Sequence, residues 1–342
     1  MSLPATAHRS DLRHDGFGSR CVSQDSQFGP VEILELSSAL GTPAAEQAIR
    51  ACAARHADAN APMLARVVRI ARKEQTLSVT SIASSGVSLS DLLAAVEFGT
   101  VSLDDAAMLE AADGTIGALA SMHQLPGAPA HGALSPSHVM LQVDGTAVLS
   151  GSVFGDALQA LQCNREQLWR IFGLALPPSA SLPRFDQRAD VTQLGALVLA
   201  MLLRRTLAPG EYPKGMIDLV EAATETMDVT ARCRSALRMW LQQTLQLHPK
   251  ALFATAGDAA CAFADVVADR PRRRSGTTPL QAAIRQLAGE SVHDDAVVTA
   301  RPEPALKPRA AAPARAAEPQ APLAASRRIP FLRNVFPAFG AN

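Results

Sequence analysis

The chain has 342 residues with 32 basic against 32 acidic side chains and a pI near 7.1, which excludes an overall field drawing it to nucleic acid or an anionic membrane; partners must be recognised locally. Five scattered cysteines without C-x-x-C spacing argue against a disulfide framework or a structural zinc site and suit a reducing compartment, read here as the cytoplasm. Aromatic residues make up only 4%, so the core must rest on Leu, Val, Ile, Ala and Met. Residues 1 to about 10 read as a loose, charged terminus without the apolar stretch of a signal peptide, and no apolar run reaches the roughly 18 residues of a membrane span. VEILEL at 31 to 36 and LARVVRIARKEQTLSVTSIA at 64 to 83 contain short β-prone runs. Between them one helix is predicted, opened by Thr42 before Pro43 and carrying Ile49, Cys52 and Ala53 at helical spacing.

Beyond Gly86 the pattern turns helical, with Ser88 and Asp91 forming a capping box and a longer helix over about 102 to 123. From His131 to Phe154 it reads as a loop, a short strand, a tight turn at Asp144-Gly145 and a second short strand. Helices are then predicted over 188 to 205, 213 to 226, 231 to 247 and 255 to 268. From Arg270 the composition shifts to PRRRSG and then to alternating Ala, Pro, Arg and Glu, which buries too little apolar area to offset the entropy of ordering it. Residues 271 to about 328 therefore read as a linker with one short helix near 278 to 289. The arginines at 270 to 274 read as a solvated domain edge. IPFLRNVFPAFGAN at the end restores three phenylalanines.

HGALSPSHVML at 131 to 141 resembles the catalytic loop of bacterial (Hanks-type) serine/threonine protein kinases, H-[RG]-D-L-K-P-x-N followed by apolar residues, with His131, Leu134, Pro136, Val139 and Leu141 at matching positions. Further stretches resemble the same family in its own order. GFGSRCV at 16 to 22 is similar to the Gly-rich loop, matching at Gly16, Gly18 and Val22, with Cys21 at the third glycine. FGPVEILEL is similar to the V-A-I-K strand, SGVSLSDLL at 85 to 93 to the hinge and its helix, DGTAVLSGS to the strand before D-F-G, and RADVTQLGALVLAMLLRR, with Asp190, Leu194 and Gly195, to the helix that anchors the large lobe. The resemblance implies an α+β, bilobal fold: a flexible terminus over 1 to 15, a strand-rich small lobe over 16 to 83, a helical large lobe over 84 to 270 and a disordered tail over 271 to 342.

The resemblance also implies what each position would do, and the residues differ. Phosphoryl transfer needs a lysine on the nucleotide phosphates, metal held by an Asp and an Asn, and an Asp receiving the substrate proton. Leu34 stands at the lysine position, its glutamate partner falls near Ala53, Ala133 is at the catalytic aspartate, Ser135 at the second lysine and His138 at the asparagine. The D-F-G aspartate falls on Gly151, or on Val153 if Phe154-Gly155 are taken as F-G. His138 reads as a solvated or hydrogen-bonded loop histidine, since no Cys or second His lies near it in sequence. The A-P-E glutamate near Pro177-Pro178-Ser179 and its arginine partner, at Leu252, are replaced together. His131, Pro136, Asp190 and Gly195 are structural matches, His131 belonging to the column linking the lobes and Asp190 holding the catalytic-loop backbone. Two readings follow. One is a pseudokinase acting as a protein-binding scaffold or regulatory module in bacterial signalling, with no cofactor, no nucleic acid and a protein partner whose identity is not legible. The other is an atypical kinase or ATP-binding protein with catalytic groups relocated among Glu32, Glu35, Asp144, Asp156 and Lys73. Weak, metal-independent nucleotide binding at the hinge, Ser81 to Ala83, stays open under either reading.

Overall fold

The small lobe is a five-stranded antiparallel sheet built from β1 (Arg13–Asp15), β2 (Gly18–Asp25), β3 (Gly29–Leu36), β4 (Val67–Lys73) and β5 (Thr76–Ile82), in the order β1-β2-β3-β5-β4. Helix α1 (Pro43–His56) connects β3 to β4. Thr42 starts it by accepting the N–H of Ala45 at 3.2 Å with Pro43 following, and Ala45, Ile49 and Cys52 form its buried stripe. The computed structural model describes residues 12–57, 61–127, 129–179, 181–247, 252–268 and 276–289; the readings of the first ten residues, of the arginines at 270 to 274 and of the tail beyond 289 lie outside them.

After the hinge, β6 (Val87–Ser88), β7 (Val139–Leu141) and β8 (Ala147–Leu149) form a small antiparallel sheet in that order. The helices of the large lobe are α2 (Leu89–Glu97), α3 (Asp105–His123), α4 (Gly155–Ala160), α5 (Arg165–Phe172), α6 (Gln187–Leu203), α7 (Met216–Glu225), α8 (Ala231–Thr244), α9 (Ala256–Val267) and α10 (Pro279–Ala288). Ser88 caps α2, its hydroxyl accepting the Asp91 N–H at 3.1 Å and donating to the Asp91 carboxylate at 2.6 Å. Helix α6 is buried on every side over Ala189–Leu202, which makes it the central post of the lobe. Gly195 lets it approach α8: a Cβ there would lie 2.5 Å from the Thr244 hydroxyl. Among the described residues no helix is long and apolar enough to cross a membrane.

Four elements depart from the sequence reading. Arg13–Asp15 pairs with β2, so the sheet begins inside the stretch read as a flexible terminus. α4 and α5 stand where no helix was expected. And α10 packs on the large lobe instead of lying in a linker: Leu280, Ala283 and Ile284 are buried in its core, Thr278 donates to Glu110 at 2.9 Å and Gln281 to the Asp144 carbonyl at 3.2 Å. A second apolar core crosses the cleft, joining Phe17, Leu34, Ile49 and Leu77 of the small lobe to Val153, Phe154, Leu168 and Phe172 of the large one.

Candidate functional site

The loop from His131 to His138 hangs from α6. The fully buried Asp190 carboxylate accepts the N–H groups of His131 and Gly132, both at 2.7 Å. His123 adds a third donor: its Nδ1 accepts the Ala256 N–H at 3.1 Å, so its proton is on Nε2, 2.9 Å from Asp190. Gln193 accepts the Leu134 N–H at 2.7 Å. A buried carboxylate with three donors fixes the loop backbone. His131 lies wholly inside, its Nδ1 accepting the Ala133 N–H at 3.3 Å, and burial pushes its pKa down to about 4, so the ring is neutral.

On this backbone Ala133 is fully buried with a methyl side chain, offering nothing that could take a proton. Pro136 opens a single 3-10 turn, Pro136–His138. His138 is buried, not solvated, and both ring nitrogens are engaged. Nδ1 lies 2.8 Å from the Ala133 carbonyl, which can only accept, and Nε2 lies 3.2 Å from the Arg20 guanidinium, which can only donate. The proton therefore sits on Nδ1, and Nε2 turns its lone pair to Arg20. Ser135 lies 3.1 Å from the same Nδ1. Burial, then the Arg20 charge, hold the imidazole well below its ordinary pKa. Gly151 sits against the ring: a Cβ there would meet His138 Nε2 and Cδ2 at 2.9 Å, and its φ is +78°. Gly151 thus faces residue 138, and the imidazole fills the space a side chain at 151 would take.

From above, the β1–β2 hairpin closes on this floor. Gly16 and Gly18 flank Phe17, which is 1% exposed and whose ring lies 4.4 Å from His138, 5.1 Å from Phe172 and 5.6 Å from Phe154. The Asp15 carboxylate shapes the tip, accepting the N–H groups of Phe17 at 2.8 Å and Gly18 at 3.2 Å. Arg20 points into the cleft with 5% of its side chain exposed. It donates to Asp15 at 2.7 Å and to the Ser137 carbonyl at 3.1 Å, and sits 3.5 Å from Glu32. Burial raises the Asp15 carboxyl, but Arg20, His138 and hydrogen bonds from Ser137 and Phe17 outweigh it and hold the pKa low. For Glu32 burial wins over Arg20 and the pKa rises. Leu34 is buried beside Glu32 on the same strand face. The space left among Arg20, Leu34, His138, Gly151 and Phe154 is about 10 Å³, where ligand pockets run to roughly 300–1,000 Å³. In front of the 131–138 loop a separate groove of about 270 Å³ remains, lined among others by Leu134, Trp169 and Leu197. At the hinge, Ser81 pairs within the sheet opposite Glu32, and the Ala83 N–H donates to the Pro30 carbonyl at 3.0 Å. Val22 faces solvent.

No family model matches the sequence, and no curated protein does. Solved structures do match. The kinase domain of Mycobacterium tuberculosis PknI aligns over 78% of this chain and 100% of its own length at 16% identity and a TM-score of 0.52. The kinase domain of maize SIRK1 (sucrose-induced receptor kinase 1), solved bound to AMP-PNP, aligns over 78% of this chain and 97% of its own at 16% identity and a TM-score of 0.57. The chain has a protein kinase-like fold.

Within that kinase-like fold the acids considered for relocated chemistry are dispersed. Asp156 is half-exposed on α4 and paired with Arg55 of α1 at 2.5 Å. Asp144 accepts the N–H and hydroxyl of Thr146 in the β7–β8 turn. Glu35 is exposed on the sheet face opposite Leu34, and Lys73 ends β4 in solvent. Glu46 binds Arg50 and Arg72 at 2.7 and 2.6 Å, while Ala53 lines a neighbouring recess. Only Glu32 of these faces the cleft. Among the described residues no three His, Cys, Asp or Glu side chains are arranged to hold a metal ion. The residues that sequence reasoning missed are Asp15, Phe17 and Arg20.

Proposed function

We propose that this kinase-like chain is a pseudokinase that serves as a protein-binding scaffold or regulatory module in bacterial signalling, without phosphoryl transfer of its own. The observation that carries this reading is the packing of Phe17, Arg20 and His138 into the space between the Gly-rich hairpin and the catalytic loop. A nucleotide triphosphate with magnesium does not fit the residues present. Magnesium prefers carboxylate and carbonyl oxygen, whereas the two positions facing each other hold an imidazole and a glycine. The guanidinium in the cleft is already engaged by Asp15, Glu32 and Ser137, and Leu34 and Ala133 supply neither a phosphate contact nor a base. Replacing these groups while keeping the Asp190 anchor intact is the pattern of a body maintained for its shape.

Purified protein should show no magnesium-dependent thermal shift with ATP and no incorporation of label from γ-labelled ATP into itself or a generic acceptor. Sustained turnover abolished by Asp156→Ala or Glu32→Gln would replace this reading with the relocated enzyme.

A further inference from the structure

The β1–β2 hairpin does more than obstruct the cleft. Its tip is bound on both sides of the cleft at once. From the small lobe, the Ser37 hydroxyl donates to the Gly16 carbonyl at 3.1 Å and the Ser37 N–H to the Phe17 carbonyl at 2.8 Å, while Asp15 takes the two N–H groups of the turn. From the large lobe, the Ser137 hydroxyl donates to Asp15 at 2.7 Å, the Ser137 carbonyl and the His138 ring receive Arg20, and Phe154 and Phe172 enclose the Phe17 ring. The fit is close. A Cβ on Gly16 would lie 1.7 Å from the Ile171 carbonyl oxygen at the end of α5, so tip backbone and α5 backbone touch.

We infer that this hairpin tip is an interlobe latch, holding the two lobes at one closure angle without any ligand. Apolar faces alone would let two packed lobes hinge or slide. The directional bonds from Arg20 and Asp15 to Ser137 and His138 have a satisfied geometry at a single angle, and a buried guanidinium left without them is costly. A partner therefore meets one preset shape in place of an open and closed ensemble. The latch is a property of the fold and holds whether or not the cleft turns over substrate, so its test is independent of phosphate transfer.

Gly16→Ala is the wedge that tests it. The φ of Gly16 lies outside the left-handed region, so the hairpin itself accepts alanine, but the clasp against Ile171 does not. Hydrogen exchange of the full chain should quicken about tenfold in both the hairpin, 13 to 25, and the catalytic loop, 134 to 139, while α8 keeps its protection. Ser137→Ala, which removes one partly exposed hydroxyl and leaves the fold intact, should produce a smaller change in the same two segments. Acceleration confined to the hairpin, or an equal rise extending through α8, overturns the latch. So does unaltered exchange in both segments of Ser137→Ala, which decides the matter if Gly16→Ala fails to fold.

Discussion

Replacing Gly151 by alanine, alone and with His138→Ala, tests in energetic terms whether residues 138 and 151 share one space. The alanine meets two separate penalties. At φ +78° a Cβ costs about 1–2 kcal/mol in the left-handed region, and at 2.9 Å from the His138 ring it overpacks a buried site, for about 1–3 kcal/mol. Gly151→Ala should therefore lose roughly 2–5 kcal/mol. His138→Ala leaves the Ala133 carbonyl without its ring partner and removes one of the two acceptors of Arg20 Nη2, and it opens a cavity, for about 2–4 kcal/mol. In the double variant the ring that made the clash is absent, so the steric part vanishes and the φ part stays. The loss should fall short of the sum by about 1–3 kcal/mol. Urea unfolding of the four proteins, read by tryptophan fluorescence and circular dichroism together, measures the cycle. Additivity within about 0.5 kcal/mol would refute the claim that residues 138 and 151 share one space.

Acid should destabilise the protein over a defined window. The unfolded His131 ring takes its proton below the ordinary value of 6.5, the folded ring only near 4, so the stabilising contribution is complete above pH 6.5 and is lost as pH falls toward 4. At pH 5 this amounts to about 2 kcal/mol. His138 acts in the same sense and Glu32, with its raised pKa, in the opposite one. The fall in stability between pH 7.5 and 5 should thus be about 2 kcal/mol smaller in His131→Gln than in the natural chain, and equal falls would contradict the assignment. Asp190→Ala strands three buried donors and should lose about 3–5 kcal/mol in the urea midpoint; a loss under 1 kcal/mol would mean α6 does not carry the loop. Leu280→Ala should lose about 2–4 kcal/mol because α10 is docked, and a neutral result would return that helix to the linker.

Most helices and the β7–β8 turn were legible because their signals are local. Ser88 and Thr42 accept N–H groups three residues on, Asp144-Gly145 turns β7 into β8, and the apolar density of α6 is visible in one window of sequence. Helix α5 escaped notice because its eight residues, REQLWRIF, are half polar and only Leu168, Trp169 and Phe172 are buried, too few for a period to stand out. The place of the site was legible from Leu34, His138 and Gly151, which line one space in the fold. What fills it was not. Phenylalanine between two glycines satisfies a Gly-rich loop pattern as well as any residue, and an arginine in a strand is ordinarily exposed. Only the fold brings Arg20 to Ser137, 117 positions away, and discloses that His138 is a buried partner of that arginine.

Isothermal titration of the full chain with ATP, run with and without magnesium, addresses the central claim most directly. With Phe17 and Arg20 seated on His138, no saturable heat should appear in either case up to millimolar nucleotide. Saturable binding that requires magnesium would show that the cleft admits the metal–nucleotide pair and that the residues described here do not close it.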